Sequence, residues 1–167
     1  MPIYELLDIT TNIIIMYALV FAVFLYIKSQ RQKKRSVALD FVKRWNDGRY
    51  QRVFSKILSD PRNHDRDIRD IVSDAAIEWE SNTTFNDIES IWNFFEELSI
   101  AILFGEADEE IAKEYFLYSL TNTYRVSERA LYSLRKSNGK GLYLNMERLF
   151  GKWTSDKEFV FVRELSK

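Results

Sequence analysis

The segment NHDRDIRD, residues 63–70, surrounds the single histidine of the sequence, His64. Three carboxylates, Asp65, Asp67 and Asp70, lie near its imidazole in the sequence. A histidine near carboxylates can bind a divalent metal or act as a general base. The same segment also alternates arginines with the acids, a pattern typical of a solvated helix start. We interpret it as surface, and a hydrolase that uses His64 is a minor alternative.

Two adjacent carboxylates, Glu96 and Glu97, lie on the most apolar helix that the sequence predicts after residue 36. Di-iron bundles need Glu-x-x-His pairs from facing helices, and one histidine cannot supply two such pairs. A buried carboxylate can instead fix the packing register when it bonds to an arginine of the next helix, such as Arg125 or Arg129. We therefore predict a buried polar pair at Glu96 and Glu97 and no metal site.

Other catalytic signatures are absent from the sequence. It contains no cysteine, which excludes a thiolate nucleophile and cysteine-ligated zinc. It also contains no phosphate-binding glycine loop, nucleophile elbow or zinc motif. We assign no catalytic residue, no cofactor and no metal, and the question of enzymatic activity stays open.

Fifteen consecutive apolar residues, 13–27, precede five cations within residues 28–35. A secretory signal has its positive charge before the apolar run and a small-residue cleavage site after it. In this sequence the positive charge follows the run instead. A core helix of a soluble domain keeps a polar stripe, and this run has none. Extended back to residue 9, the segment rises about 28 Å, close to the hydrocarbon thickness of a bilayer. We therefore predict a transmembrane helix.

The predicted anchor residues are Ile13, Ile14, Ile15, Leu19, Phe21, Phe24, Leu25 and Ile27. The predicted basic flank consists of Lys28, Arg31, Lys33, Lys34 and Arg35. Cytoplasmic flanks of membrane helices carry an excess of Lys and Arg. We expect a single-pass protein of the inner (cytoplasmic) membrane, with a short N-terminus outside and the C-terminal domain in the cytoplasm.

The charge after the flank is mildly acidic, because residues 36–167 carry nineteen basic and twenty-three acidic side chains. A nucleic-acid reader usually shows basic charge across a folded face, so we expect no nucleic-acid partner. The basic flank is a topogenic signal with a secondary attraction to anionic lipid. The expected partners are the lipid bilayer and either a second copy of the chain or a cytoplasmic protein.

Helix breakers divide the rest of the sequence into amphipathic segments. The predicted helices end near residues 46–48, 59–61, 81–82, 105 and 137–139, and a last helix covers roughly residues 142–153. Asp108 is the predicted N-cap of the longest of these helices, and the helix before it is expected to be central. The tail EFVFVREL, residues 158–165, reads as an extended or helical end.

The sequence thus predicts an all-α fold, with a transmembrane helix followed by a cytoplasmic bundle of about five to six helices. The predicted divisions are residues 1–28 for the N-terminus and anchor, 29–36 for the basic juxtamembrane segment and 37–167 for the helical domain. Most of the tryptophans, Trp45, Trp79, Trp92 and Trp153, are expected in the core. Any aromatic residues left exposed are expected among Tyr115, Tyr118, Tyr124 and Tyr132, which would form the interaction surface.

The stretch IWNFFEELSIAILFGEADEE, residues 91–110, combines an aromatic-rich helix, a glycine stop and an acidic restart. With the turn formed by Trp45, Asp47 and Gly48, it resembles a bacterial family of uncharacterised single-pass membrane proteins. That resemblance implies an N-terminal anchor and a helical cytoplasmic domain, and it implies no activity.

Two functions from different classes follow as hypotheses. The favoured one is a noncatalytic, membrane-tethered helical module that self-associates or recruits a cytoplasmic partner to the inner membrane. The alternative is a membrane-perturbing effector of the toxin or defence type, whose anchor oligomerises under control of the cytosolic domain. The alternative is weakened by the composition of the run, because residues 13–27 contain no charged residue that could line a pore.

Overall fold

The computed structural model describes residues 3–50, 52–53, 56, 66–77, 83–139 and 141–155. Its helices are α1 (Ile3–Asn46), α2 (Ile68–Ile77), α3 (Thr83–Leu103), α4 (Glu109–Asn138) and α5 (Leu144–Ser155). The described ranges contain helices and turns and no strand, and the prediction of an all-α fold is confirmed. His64, Asp65, Trp79 and the tail 158–165 lie outside the described residues.

Helix α1 is one continuous helix of 44 residues that joins the apolar run to the bundle. Ala38 is fully buried, and Phe41 and Val42 continue the buried face of α1. The helix ends at Asn46, and Gly48 follows with a φ of 73°, a left-handed conformation that glycine adopts without the steric cost of a side chain. The last turns of α1 therefore belong to the bundle core.

Aromatic side chains from three helices form the centre of that core. The ring centroids of Trp45 and Phe95 lie 5.2 Å apart, and those of Phe41 and Phe94 lie 5.8 Å apart. Phe116 of α4 closes the cluster, 5.7 Å from Phe94. Such tilted and edge-on pairs add to the free energy gained by burying the rings, and they fix α1, α3 and α4 side by side.

Helix α4 packs against each of the other four helices. The indole Nε1 of Trp92 on α3 donates a hydrogen bond of 2.7 Å to the hydroxyl of Ser127 on α4, and both side chains are buried. Trp153 of α5 is also buried. Helix α3, which the sequence marks as central, supplies many of the largest buried side chains, and α4 shares the central position with it.

The turn between α3 and α4 closes α3 with a Schellman motif. Gly105 has a φ of 72°, its amide donates to Ile102 O at 3.0 Å, and the amide of Glu106 donates to Ala101 O at 2.8 Å. These two bonds satisfy carbonyls that the end of a helix leaves without intrahelical partners. Asp108 then caps α4 by accepting from the amide of Ile111 at 3.2 Å, as predicted.

We expect Gly105→Ala to lower the free energy of unfolding by about 1–2 kcal/mol, because an L-residue with a side chain is strained in the left-handed region. An added Cβ meets only Lys34 Nζ, at 3.8 Å, so the cost is one of backbone conformation and not of packing. Chemical unfolding followed by tryptophan fluorescence measures the change.

The matched control is Gly151→Ala, since Gly151 lies inside α5 with nothing within 4 Å of an added Cβ. Alanine is favoured over glycine in a helix interior by about 1 kcal/mol, so this variant should be more stable than the parent. A Gly105→Ala protein as stable as Gly151→Ala would contradict the Schellman assignment.

Arg135 near the end of α4 holds the loop that leads into α5. Its Nε donates to Leu142 O at 2.7 Å, and its guanidinium also donates to Tyr143 O and to the carboxylate of Glu147. Tyr143 adopts a φ of 53°, which breaks the helical path. Helix α5 consequently starts at Leu144, two residues later than predicted.

Candidate functional site

The eight predicted anchor residues are all exposed on the surface of α1. Their exposed fractions range from 44% at Ile13 to 67% at Ile14. From Asn12 onward, α1 is long and apolar enough to cross a membrane by length and composition, and its most apolar window is 0% buried. The sequence prediction of one long apolar N-terminal helix is therefore confirmed, and no other part of the described protein covers it.

The basic flank follows the apolar run on α1 and also packs against the start of α4. The carbonyl oxygen of Lys34 accepts a hydrogen bond of 3.0 Å from the backbone amide of Asp108. Arg31 and Arg35 line an open cleft of about 550 Å³ together with Asp108 and Glu110. The flank thus links the apolar part of α1 to the bundle, a structural role that charge counting does not indicate.

Glu96 and Glu97 bind partners other than the predicted arginines. The carboxylate of Glu96 accepts from the amide of Asn145 at 3.2 Å and from the amide of Met146 at 2.7 Å. It therefore caps the N-terminus of α5 from a neighbouring helix, where a negative charge also suits the helix dipole. Glu97 is exposed and forms an ion pair of 2.8 Å with Arg44 of α1.

The expectation of a buried polar pair at Glu96 and Glu97 therefore requires correction, because Glu97 is exposed. Arg129 lies 3.8 Å from Asp70 of α2, and Glu96 is only partly buried. The two carboxylates bond to different helices, Glu96 to α5 and Glu97 to α1. The reason is geometric, since adjacent residues of a helix point in directions about 100° apart.

The segment around His64, interpreted as surface, is described only from Arg66 onward. Asp67 accepts from the amide of Arg69 at 2.7 Å and stabilises the start of α2, and Asp70 faces Arg129. Arg66 also forms an ion pair with Asp74. The part of the chain that the structure describes contains no group of three residues able to hold a metal ion.

Three of the four predicted surface tyrosines are exposed on α4. Tyr115 is 55% exposed, Tyr118 is 79% exposed and Tyr132 is 63% exposed. At 100° per residue they fall within a sector of about 100° on the helix, and we name these three residues the tyrosine face. Tyr118 also borders a shallow, mainly apolar pocket of about 260 Å³ between α4 and Trp45.

The fourth tyrosine, Tyr124, is a core residue. Its ring stacks on Phe150 of α5 with centroids 4.4 Å apart, and only 6% of the residue is exposed. Burial raises the pKa of Tyr124 to about 12, and the negative charges of Glu147 and Glu128 act in the same direction. It contributes to the packing of α4 on α5 and not to the tyrosine face.

Phe104 is an exposed aromatic residue that sequence reasoning did not single out. It is 74% exposed at the end of α3. Periodicity would place it on the buried face, three residues after Ala101. Helix α3 ends at Leu103, so the helical direction no longer applies to Phe104, and no sequence signal marks this side chain as exposed.

Residues 12–153 match the family described as Domain of unknown function (DUF4760). That range is 142 of the 167 residues. The chain belongs to this family. The matched range includes the apolar run, the basic flank and nearly all of the bundle, so a DUF4760 domain combines them in one unit. No curated protein and no solved structure matches the chain.

Proposed function

We propose that this DUF4760 protein is a single-pass, membrane-anchored module of a bacterial inner membrane. In this proposal it holds a helical bundle at the cytoplasmic face, where the bundle recruits a protein partner or a second copy of the chain. The observation that carries the proposal is the exposed apolar surface of α1, which continues without a break into the packed core. No reaction is part of the proposal.

The energetic argument concerns the solvent that surrounds α1. Leaving a large apolar side chain in water, when it could be buried, costs about 1.5–3 kcal/mol. The eight anchor residues are 44–67% exposed, so the total is on the order of 10 kcal/mol, comparable to the whole stability of a domain. A lipid environment removes this cost. Lipid also tolerates the backbone of the run, because each amide inside a continuous helix bonds to a carbonyl of the same helix.

The continuity of α1 supports an anchor over a removable signal sequence. Removal after the apolar run would cut a single helix whose last turns place Phe41 and Trp45 in the aromatic core. The family match begins at residue 12 and therefore includes the run. Both observations favour a segment that stays part of the folded protein.

The basic flank sets the proposed topology. Lys and Arg residues directly after a membrane helix favour the cytoplasmic side, and this flank leads into the bundle through the contact of Lys34 with Asp108. The bundle and the rest of the C-terminal chain are then cytoplasmic, and the residues before the run are outside.

The tyrosine face is the proposed recruitment surface. Tyrosine is enriched in protein interfaces because its ring buries a large area while its hydroxyl can still form hydrogen bonds. Tyr118 and Tyr132 are 14 residues apart, about 21 Å along α4, which is a suitable length for a helix or a helical pair to dock against. The adjacent apolar pocket beside Tyr118 gives such a partner a place for one side chain.

Site-specific photocrosslinking tests this surface in intact cells. We expect benzoylphenylalanine at Tyr118 to give one discrete crosslinked product, either a homodimer or a complex with a single protein. The control position is Asn86, which is exposed on α3 and lies outside the tyrosine face. Equal products at both positions, or none at Tyr118, would refute recruitment through this face.

A further inference from the structure

The α3–α4 turn lies at the end of the bundle nearest the apolar run. Helix α3 runs antiparallel to α1, because Phe94 contacts Phe41 while the turn reaches back to Lys34. The end of α5 lies at the same level, since Trp153 Nε1 donates to the carboxylate of Glu109 at 3.1 Å. The α3–α4 turn, the start of α4 and the end of α5 therefore lie together at the end of the bundle nearest the apolar run.

The distance from the apolar run to this end is short. Lys34 lies seven positions after Ile27 on a continuous helix, a rise of about 10 Å. The headgroup layer of one leaflet is about 5–8 Å thick. With Ile27 at the edge of the hydrocarbon region, the turn beside Lys34 lies at the outer boundary of the headgroups, within reach of an aromatic side chain.

The turn presents Phe104 at this boundary on a rigid support. Phe104 is 74% exposed, and it directly precedes Gly105. The backbone of the turn is fixed by the two Schellman bonds, from the amide of Gly105 to Ile102 O and from the amide of Glu106 to Ala101 O. An exposed ring gains free energy when a membrane surface covers its apolar area, and the hydrogen-bonded backbone of the turn keeps Phe104 at this end of the bundle.

The charges at this end favour an anionic surface as the occupant. Among the described residues of the basic flank, the turn and the helix ends beside it, Lys28, Arg31, Lys33, Lys34, Arg35 and Lys152 are basic, and Glu106, Asp108, Glu109 and Glu110 are acidic. Lys152 is paired with Glu109 at 2.6 Å, and two arginines share a cleft with Asp108 and Glu110. The remaining side chains are the basic Lys28, Lys33 and Lys34 and the acidic Glu106. They leave an excess of positive charge on the side nearest the apolar run.

We propose that the α3–α4 turn is a second membrane contact, in which Phe104 inserts among the headgroups of anionic lipids beside the basic flank. The contact rests on the proposed anchor and extends it, because a second point of attachment fixes the orientation of the bundle relative to the bilayer. The tyrosine face on α4 is then held at one defined angle to the membrane, because the contact restricts the tilt of the bundle.

Spin labels at single cysteines test this contact in the full-length protein, since the chain has no cysteine of its own. The three positions are Tyr17→Cys in the apolar run, Phe104→Cys in the turn and Tyr132→Cys, about 35 Å from the start of α4. Each labelled protein is placed in nanodiscs of phosphatidylcholine with phosphatidylglycerol, and its accessibility to oxygen is compared with its accessibility to a nickel chelate. Oxygen concentrates in the bilayer and the chelate stays in water.

We expect the oxygen-to-nickel ratio at position 104 to lie between those at 17 and 132, several-fold above the ratio at 132. Omitting phosphatidylglycerol should lower the ratio at 104 and leave the ratio at 17 unchanged. A ratio at 104 equal to that at 132, with position 17 inside the bilayer, would overturn the contact and leave the anchor standing. A ratio at 17 equal to that at 132 would overturn the anchor and the contact together.

Discussion

The double substitution Val20→Arg and Phe24→Arg is expected to remove the protein from the membrane fraction. Both side chains are exposed in the apolar run, Val20 near its middle and Phe24 one turn closer to its basic end. An arginine at the centre of a membrane helix costs about 2.5–3.5 kcal/mol, against a small favourable contribution from the residue that it replaces. An arginine at Phe24 costs less because it lies nearer the end of the run, and the two changes together shift the insertion equilibrium by roughly 10³-fold. Quantitative blotting of membrane and soluble fractions measures the result.

A matched control carries the same added charge on the bundle. Ile77 is 69% exposed on α2 and Tyr118 is 79% exposed on α4, so Ile77→Arg with Tyr118→Arg adds two arginines at exposed positions outside the run. This variant should stay in the membrane fraction. Membrane association that survives the Val20→Arg and Phe24→Arg changes would mean that the run does not hold the protein there.

The second large effect is expected from Phe95→Ala, which should lower the free energy of unfolding by about 3–5 kcal/mol. Phe95 is fully buried, with ring centroids 5.2 Å from Trp45 and 5.3 Å from Phe94. Truncation loses the transfer free energy of the ring and leaves a cavity between three helices. Because domains have only about 5–15 kcal/mol of stability, the tertiary structure of the variant should be lost at much lower urea concentration.

Phe104→Ala is the matched control, since it makes the same truncation at the end of the same helix. Phe104 is 74% exposed, and surface substitutions usually change stability by less than about 0.5 kcal/mol. Urea titrations of the detergent-solubilised proteins, followed by near-ultraviolet circular dichroism, compare the two. Equal losses for Phe95→Ala and Phe104→Ala would contradict the assignment of the core.

Helix ends could be predicted from sequence because their signals are local. Gly48, Gly105 and Gly139 all have positive φ values where helices end, and the side chain of Asp108 caps α4. A cap or a glycine terminator acts within a few residues of itself, so its neighbours in the sequence are enough to identify it. The apolar run could be predicted for the same reason, because its residues are consecutive in the sequence.

Partners across helices could not be predicted in this way. Glu96 caps α5 through Asn145 and Met146, which are about fifty residues later, and Lys34 meets Asp108 across the fold. Those contacts depend on which direction each helix takes in the bundle, and hydrophobic periodicity fixes only which face is buried. Phe104 was missed for a related reason, because its exposure depends on where α3 ends.

The proposed anchor and the observed packing together suggest how the protein would work. Helix α1 runs from the apolar surface directly to the aromatic core, which Phe41 and Trp45 contact, so no flexible linker separates the proposed anchor from the bundle. A rigid connection would keep the tyrosine face at a fixed height above the membrane, which suits a scaffold that positions a partner.

Protease protection with a tag at each end tests the proposed anchor and topology most directly. We expect the protein to resist alkaline carbonate extraction, and we expect protease added to intact spheroplasts to remove the N-terminal tag while the C-terminal tag stays protected. This outcome would place α1 across the membrane with the bundle in the cytoplasm. Extraction as a soluble protein, or removal of the C-terminal tag in intact spheroplasts, would contradict the proposed anchor and its orientation.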